Sequence, residues 1–405
     1  MYLNNRNIWL SLLIFIQVPL LSGCWDAQEI DQRATVMAIG IDRANEEEQE
    51  QEDDIAHLKN RFPIPNREMI KLTAQIAIPG RIPLGPESTG GAQKSVLVLS
   101  VVGHTVEDAI VNLQQELADQ LFLGHLRIIV LNEKVARHGT QTLNDFLRRN
   151  PQIRRTASLV VSKEPAAAYM KIAPELERIP SLYMADMVDS LSALGKFPPS
   201  FIGLFWTILS SKGQDPYLPY LKLKKGNNIQ LNGLAYFRGD KMVGKTSPLE
   251  IGIFMSVIGI TKGGYGAFVE VPGTDEVIVY KAISRKTKIE PSIKNGKPHV
   301  LIKIRYEGEI EERDRSKILL TSSEILRKIE KEASKDVEKS TKTFIKKTQK
   351  KNADIFGFGE YVRAKLPRYW NSRVKTKENW AELYRDLTFD LQVDTHIHRV
   401  GMKAK

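Results

Sequence analysis

The sequence VLVLSVVGHTVEDAIVNLQQELADQLFLGHLRIIVL, residues 96–131, decides the fold class. It begins with a nearly continuous apolar run, Val96 to Val102, which is typical of a strand buried on both faces. A helix is predicted to follow, with Thr105 as its N-cap and apolar residues at helical spacing. Leu126 to Leu131 has the composition of another buried strand. Strand, helix and strand in this order predict a crossover connection and a partly parallel sheet.

Outward from this stretch, the first half of the chain continues the same alternation. Strands are predicted at Val36–Ile41, Ile70–Ile78 and Leu159–Val161, and helices at Val135–Leu147, from Pro165, near Ser181–Leu194 and at Pro199–Leu209. Two segments interrupt the pattern. Residues 45–54 are mostly acidic or amide side chains, which predicts a solvated loop or disordered insert. Pro79–Gln93 is rich in Gly and Pro and is predicted to be a long loop.

The second half of the chain does not continue this strand–helix alternation. Leu231–Phe237 and Met242–Val243 predict a hairpin around Gly239-Asp240. Ser247-Pro248-Leu249-Glu250 has the pattern of a capping box at a helix start. Further strands are predicted at Ala267–Val271, Val277–Ile283, His299–Tyr306 and Phe389–Ile397, with a tight turn at Asn295-Gly296 and a lysine-rich helix at residues 321–351 that opens with Thr321 and Glu324.

These elements predict an α+β, multidomain body. We place a boundary near residue 225, because Pro216 and Pro219 precede the point where the strand–helix alternation ends. The resulting division is a leader at residues 1–23, an N-terminal α/β domain at 24–225, a middle α+β domain at 226–285 and a C-terminal α+β domain at 286–405, which carries the long lysine-rich helix. Such a length suits several cores better than one.

Cys24 is the only cysteine of the 405 residues, and it follows an apolar leader. Arg6, an apolar stretch from Ile8 to Leu21 and the small residues Ser22 and Gly23 have the order of a secretory signal peptide. A cysteine directly after small residues resembles the bacterial lipoprotein box, in which the thiol receives a diacylglyceryl group. We therefore predict lipidation of Cys24, with its diacylglyceryl and N-acyl chains in the membrane.

Other roles for Cys24 fit less well. A disulfide needs a second cysteine, and a catalytic thiol needs a histidine beside it in a folded pocket. The apolar stretch has about 14 residues, whereas a spanning helix needs roughly 20. An uncleaved anchor and an ordinary signal peptide stay open as alternatives.

Composition limits the partners. A formal net charge of +11 favours an anionic partner, and behind a lipoprotein box this favours anionic lipid headgroups over nucleic acid. Lysines of the long helix, among them Lys342, Lys346 and Lys350, could contact such headgroups, but acidic neighbours dilute their charge and also fit a solvated helix face. Charge-reversing these three lysines tests the membrane hypothesis.

Two motifs invite a chemical interpretation. Gly239–Thr246 matches the phosphate-binding P-loop string, but Met242 and Val243 fit the returning strand of a hairpin better. In the last strand, His396 and His398 alternate with buried positions in a row that also contains Asp390, Gln392 and Asp394. His-x-His with carboxylates can hold zinc. Such a row is also the ordinary solvent face of a half-buried strand. We therefore predict no metal site.

No enzyme signature is present. The sequence contains neither a Gly-x-Ser-x-Gly elbow nor a His-Glu-x-x-His string. His104 and His125 precede a helix and a strand, where capping or packing is the expected role. Gly357-Phe358-Gly359 lacks the third glycine of a dinucleotide loop. We predict no catalytic residue, no cofactor and a non-enzymatic protein.

Several strings together resemble a known family. The sequence Cys-Trp-Asp-x-x-Glu-Ile at the lipoprotein box and Ile39-Gly40-Ile41-Asp42 are similar to the N-terminus of spore germination lipoproteins of the Ger(x)C type. Further similar strings follow in the family's order: Gly103–Ala109, Gly124–Arg127, Gly233–Phe237, Asp354–Gly359, Pro367–Trp370, Trp380 and Arg399–Gly401. Each string is weak alone, but their order along nearly the whole chain is specific. The acidic segment at 45–54 departs from the pattern.

The resemblance implies a C subunit of a nutrient germinant receptor in an endospore-forming bacterium. It implies a three-domain α+β lipoprotein on the outer face of the inner spore membrane, with integral A and B subunits as partners and no enzymatic activity. Two other classes are weighed against it. A solute-binding lipoprotein of an uptake system should have two similar α/β lobes, and an extracellular hydrolase should have a nucleophile or a metal set.

Overall fold

The computed structural model describes residues 32–50, 68–79, 95–172, 179–226, 228–313 and 322–399. Its strands are β1 Arg33–Arg43, β2 Ile70–Ala77, β3 Val96–Gly103, β4 Gln120–Phe122, β5 Ile128–Asn132, β6 Ser158–Ser162, β7 Tyr217–Lys224, β8 Asn228–Arg238, β9 Lys241–Lys245, β10 Gly266–Glu270, β11 Val277–Lys294, β12 Lys297–Arg313 and β13 Thr388–Arg399. They form a nine-stranded and a four-stranded sheet. The α+β prediction is confirmed.

The helices of the described chain cover both sheets. They are α1 Glu46–Glu50, α2 Val106–Gln115, α3 Glu133–His138, α4 Gln141–Arg149, α5 Ala166–Tyr169, α6 Pro180–Ala193, α7 Ile202–Ser210, α8 Pro248–Val257, α9 Ser323–Gln349, α10 Phe358–Lys365, α11 Pro367–Tyr369 and α12 Lys377–Arg385. A π-helical turn, Trp370–Val374, continues α11.

The first sheet is mixed, with a parallel centre. Its strand order is β3-β2-β1-β5-β6-β7-β8-β9, and β4 pairs with the start of β1. Strands β1, β5, β6 and β7 are parallel neighbours, whereas the outer pairs are antiparallel. The crossover helices between the parallel strands confirm the predicted α/β alternation.

Strand β5 is buried on both faces, and the apolar cores on its two sides differ. Ile129 and Leu131 face a core formed with α2, α3, α4 and α7. Ile128 and Val130 face the opposite core, which α5 and α6 cover. This two-sided burial explains the continuous apolar run that the sequence shows there.

The prediction that Val96–Val102 is buried on both faces is wrong. Strand β3 lies at the end of the sheet, where it pairs with β2, and most of its residues are half-buried or exposed. Leu97 is 40% exposed. An apolar run indicates a strand, but the position of that strand in the sheet depends on pairings with distant residues.

The single helix predicted at Val135–Leu147 is two helices. α3 ends at Gly139, whose φ of +138° is accessible to glycine, and its N–H donates to the carbonyl of Val135 at 3.1 Å. α4 then starts in a new direction. The glycine was visible in the sequence as a helix-ending signal.

The acidic segment is partly ordered as a helix, which corrects the prediction of a loop over residues 45–54. Asn45 and Glu48 cap α1 reciprocally: the N–H of Glu48 donates to Oδ1 of Asn45 at 2.8 Å, and the N–H of Asn45 donates to Oε2 of Glu48 at 3.0 Å. Glu48 also pairs with Lys71 at 2.5 Å. Residues 51–54 lie outside the described chain, as do residues 80–93 of the predicted long loop.

The second sheet has the order β10-β11-β12-β13. β11 and β12 form a long antiparallel hairpin whose turn, Asn295-Gly296, has φ values of 51° and 72°. This confirms the predicted tight turn. β13 pairs parallel to β12, and the segment containing α9 to α12 makes the crossover between them.

Helix α9 packs its apolar face on the second core, as predicted. Ile329, Ala333, Phe344 and Ile345 are buried there. The predicted start is displaced, because α9 begins at Ser323 with Ser322 as its N-cap and without a side-chain capping bond. Thr321 lies outside the described residues.

The sheets do not break at the boundaries placed from sequence. Residue 225 lies in the turn between β7 and β8, which are hydrogen-bonded to each other, and residue 285 lies within β11. The first sheet runs to Lys245. A core that contains Tyr217 and Tyr236 from the first sheet together with Phe254 and Phe356 connects the two halves. The division into domains at 24–225, 226–285 and 286–405 stays a prediction.

Candidate functional site

The predicted lipidation site, Cys24, lies outside the described residues together with the strings Trp25–Ile30 and residues 1–23. Within the part of the chain that is described, no helix combines the length and the apolar character needed to cross a membrane.

The P-loop-like string forms the predicted hairpin. Gly239 has a φ of +60° in the turn between β8 and β9. Asp240 in the same turn accepts hydrogen bonds from the N–H groups of Thr140 and Gln141 at 3.1 and 3.2 Å. A carboxylate thus occupies the N-terminus of α4, which is the position that an anionic ligand would favour.

The lysine and threonine of that string also have structural partners. Lys245 donates to the hydroxyl of Tyr220 at 3.0 Å. Thr246 is buried, and its Oγ1 accepts the N–H of Leu234 at 2.9 Å. These contacts join β9 to its neighbours, so the string stabilises a hairpin.

Two of the family-like strings meet at a cleft beside β1. The cleft has a volume of about 320 Å³, and Ile41, Arg43, His104, Thr105 and Asp240 contribute to its lining. Thr105 caps α2 by accepting the N–H of Asp108 at 3.1 Å, as predicted. The N–H of His104 donates to Oδ2 of Asp108 at 2.7 Å, which fits the predicted capping role of this segment.

Asp42, in the string Ile39–Asp42, caps a helix. Its carboxylate accepts the N–H groups of Ala166 and Ala167 at 2.7 and 2.9 Å. Burial raises the pKa of Asp42, and these two hydrogen bonds oppose the rise. A Cβ on Gly40 would lie 3.2 Å from Ala166. The string therefore holds α5 closely against β1.

The string Asp354–Gly359 forms a buried junction between the halves of the chain. The N–H of Asp215 donates to the carbonyl of Asp354 at 2.8 Å, and the N–H of Asp354 donates to Oδ2 of Asp215 at 3.1 Å. Asp354 is fully buried, and Asp215 is 4% exposed. The Asp354 cluster is Asp215, Asp354, Lys377 and Trp380.

Every oxygen of the Asp354 carboxylate accepts a hydrogen bond. The N–H of Gly357 donates to Oδ1, and the N–H of Gly359 and Nε1 of Trp380 donate to Oδ2, each at 2.9 Å. Burial raises the pKa of Asp354 to about 7, although the donors Gly359 and Trp380 oppose the rise. Trp380 also packs on Trp370, with ring centroids 5.7 Å apart.

Asp215 completes the junction. Its Oδ1 accepts the N–H of Gly239 at 2.9 Å and lies 3.4 Å from Nζ of Lys377. Burial raises the pKa of Asp215, and the charge of Lys377 opposes the rise. A Cβ on Gly213 would lie 2.3 Å from the carbonyl carbon of Gly359. The backbones at Gly213 and Gly359 are therefore in direct contact, and the hydrogen bonds of the Asp354 cluster stabilise this contact.

The outward face of β13 brings together a second set of polar residues. His396 and His398 are 46% and 53% exposed, and their rings lie edge to face with centroids 4.7 Å apart. Glu307 on β12 contacts Nε2 of His398, and Oε1 of Glu330 on α9 lies 3.1 Å from Nδ1 of His396. We call Glu307, Glu330, His396 and His398 the His–Glu cluster.

The remaining residues of the predicted row lie apart from this cluster. Asp390 pairs with Lys294 at 3.1 Å and with Nε2 of His299 at 3.1 Å. Gln392 and Asp394 are exposed. The alternation predicted for the strand is confirmed, but the sequence did not reveal that Glu307 and Glu330 join the two histidines.

Many lysines of α9 have acidic partners. Lys342 pairs with Glu338, Lys335 with Glu332 at 2.8 Å and Lys347 with Glu250 at 2.7 Å. Such pairing dilutes the positive face and favours the solvated-helix interpretation. His125, the other histidine singled out, is exposed and packs edge to face on Phe122 at 5.6 Å.

Comparisons with known proteins match both halves of the chain. A model described as "Spore germination protein N-terminal domain" matches residues 26–223, and one described as "Spore germination B3/ GerAC like, C-terminal" matches residues 232–401. These ranges together contain most of the sequence.

Relatives and a solved structure agree with this match. The chain is 27% identical to "Spore germination protein KC" of Bacillus subtilis (strain 168), over 98% of this chain and 97% of that protein. It is 29% identical to "Spore germination protein GerQC" of Bacillus cereus, over 77% and 85%. The crystal structure of the GerBC protein superposes with a TM-score of 0.56 at 22% identity, covering 83% of this chain and 95% of that one. This likeness shows a shared fold.

Proposed function

Because the chain belongs to the family of spore germination B3/GerAC-like proteins, we propose that it is a non-enzymatic, lipid-anchored subunit of a nutrient germinant receptor. The observation that carries the proposal is the extent of the match. Both halves match, and the alignment with the KC protein covers 98% of this chain and 97% of that relative. The named relatives are described as spore germination proteins, and none of these names denotes an enzyme.

The geometry of the family-like strings supports a structural rather than a catalytic role. Asp42 caps α5, and Asp354 receives three N–H donors at the junction. Both carboxylates are occupied by the chain's own backbone and side chains. These strings thus hold elements of the fold together, which supports the proposal of a non-enzymatic subunit.

The alternative of a solute-binding lipoprotein receives less support. Such proteins close two similar lobes around one cleft, whereas the two sheets in the described part of this chain have nine and four strands. Their strand orders also differ. The cleft beside β1 lies on the first sheet and does not separate the two sheets.

In our proposal the diacylglyceryl and N-acyl chains on Cys24 hold the body at the outer face of the inner spore membrane. There it contacts integral A and B subunits. Two acyl-type anchors give stable attachment, whereas a single chain gives marginal attachment. Replacement of Cys24 by alanine should therefore leave the fold intact and release the protein from the membrane.

Affinity purification from spore membranes tests the proposed partners. The lipidated full chain should co-purify with integral proteins of the receptor, and the Cys24→Ala variant, expressed to the same level, should be recovered in the soluble fraction. Recovery of the native chain without any integral receptor protein would contradict the partner proposal. Unchanged membrane retention of the variant after disruption of protein contacts would contradict the anchor.

A further inference from the structure

The His–Glu cluster has the composition of a transition-metal site. Among the described residues, Glu307, His396 and His398 form the group of histidine and acidic side chains whose ligand atoms lie close enough to share an ion, all within 4.8 Å of one another. We propose that these three residues bind one Zn²⁺ ion. Two imidazoles and a carboxylate are an established kind of zinc ligand set.

The ligands come from two strands that are paired in register. Glu307 on β12 is the partner of His396 on β13, so the side chains of both residues leave the same face of the sheet. His398 follows at a shift in the strand register, and its Nε2 contacts Glu307 on the same face. A row of polar residues on one strand would not form a metal site by itself. Glu307 on the neighbouring strand supplies the additional ligand.

The contact between Glu307 and His398 requires a cation or a proton between its atoms. Within the described structure, Oε2 of Glu307 is buried and contacts Nε2 of His398. A carboxylate oxygen and an unprotonated imidazole nitrogen are both electron-pair donors. A proton would satisfy these two atoms, but a metal ion would also recruit the neighbouring His396.

Glu330 is placed to orient His396. Its Oε1 lies 3.1 Å from Nδ1 of His396 and also accepts the N–H of Ile397 at 2.8 Å. A carboxylate bound to one imidazole nitrogen fixes the tautomer and leaves the other nitrogen for a metal. Arg305 holds the other oxygen of Glu307 at 2.7 Å. Glu330 and Arg305 are therefore positioning residues for the site.

The chemistry favours zinc over the hard cations. Imidazole suits Zn²⁺, Cu²⁺ and Ni²⁺, whereas Ca²⁺ and Mg²⁺ prefer oxygen ligands. Tetrahedral Zn²⁺ with bonds of about 2.0 to 2.2 Å places its ligands roughly 3.4 Å apart. Both imidazoles are about half exposed, so rotation of their side chains can close the set around an ion that enters from solvent.

Titration of the full chain in detergent, purified without a polyhistidine tag, tests the proposal. We expect saturable binding of one Zn²⁺ per chain, no competition by Ca²⁺, and the visible absorption of tetrahedral Co²⁺ when that ion is used. His396→Ala, His398→Ala and Glu307→Gln should each weaken Zn²⁺ binding by about tenfold or more, and Glu330→Gln by roughly tenfold.

His138→Ala provides the matched control, because His138 is also exposed and lies at the end of α3, away from the cluster. It should bind Zn²⁺ as the native chain does. Circular dichroism of each variant without metal verifies folding. Absence of saturable binding to the native chain, or equal affinity in the His396→Ala and His138→Ala variants, would overturn the proposal.

Discussion

The Asp354 cluster and the His–Glu cluster each contain two carboxylates, but these carboxylates have different surroundings. At the junction, a fully buried carboxylate receives three N–H donors from Gly357, Gly359 and Trp380. On the outer face of β13, two half-exposed imidazoles lie against two carboxylates. The first cluster is saturated by the chain itself, and the second presents ligand atoms to solvent.

This difference separates a structural role from a binding role. Burial without hydrogen bonds would be costly, so the saturated cluster is a condition for bringing two backbones together. The exposed cluster stabilises little, because exposed ion pairs contribute about 0 to 1 kcal/mol. Substitutions in the Asp354 cluster should therefore lower the stability of the fold. Substitutions in the His–Glu cluster should weaken ligand binding and change stability little.

The largest effect is expected for Asp354→Ala. The change leaves buried N–H groups without an acceptor, and each such group costs about 1 to 3 kcal/mol. Chemical denaturation should show a loss of about 3 kcal/mol or more in the free energy of unfolding.

Asp186→Ala is the control for this loss, because Asp186 is exposed and pairs with Arg127 at 3.3 Å. Its effect should stay below about 1 kcal/mol. Equal losses in the two variants would show that the junction does not depend on the Asp354 carboxylate.

A second large effect is expected for Gly213→Ala. The new Cβ would lie 2.3 Å from the carbonyl carbon of Gly359 and 2.4 Å from N of Glu360, and backbone atoms have little room for adjustment. We expect a loss of about 2 kcal/mol or more. At Gly266 a Cβ would meet Val279 at an ordinary 3.4 Å, so Gly266→Ala should be nearly neutral in the same measurement.

The pH dependence of stability tests the burial of Asp354. Its pKa rises from 3.8 in an ordinary carboxyl to about 7 in the fold. Between these values the folded chain keeps the proton and the unfolded chain releases it, so this group's contribution to stability decreases as the pH rises. From pH 5 to pH 7 the decrease should be about 2 kcal/mol.

Comparison with Asp354→Asn, which does not titrate, isolates this contribution. As the pH rises, the unfolding free energy of the native chain should decrease relative to that of the variant. Parallel stability profiles from pH 5 to pH 7 would contradict the pKa assignment.

The smallest effect is expected for the His–Glu cluster without metal. His396→Ala removes one exposed ion pair, so thermal unfolding in the presence of a chelator should change by less than about 1 kcal/mol. With Zn²⁺ at 100 times its dissociation constant, the native chain should gain about 2.7 kcal/mol and the variant much less. A large loss in the presence of chelator would assign the cluster to structure instead.

Local signals in the sequence predicted local structure well. Ser247 and Glu250 form the expected reciprocal capping box at α8, and Asn295-Gly296 forms the expected turn. These features depend on residues that are close in sequence. The capping pair Asn45 and Glu48 carries the same kind of signal, but the acidic composition around it pointed to a loop.

Features that depend on distant pairing were not predictable. The edge position of β3 follows from its pairing with β2, and Glu307 reaches His396 through strand pairing across the crossover that contains α9. The contact of Asp215 with Asp354 likewise joins distant segments. The resemblance included Asp354 and Trp380 among the family-like positions, but it did not indicate which residues they contact.

Nutrient-triggered germination of spores that lack this chain tests the proposed role as a germinant receptor subunit. The measurement is the fall in optical density of the spore suspension, in a strain without a redundant receptor. We predict loss of the response to the nutrient, restoration by the native chain and a weaker response with Cys24→Ala. A normal nutrient response in the deletion strain would contradict the proposed receptor role.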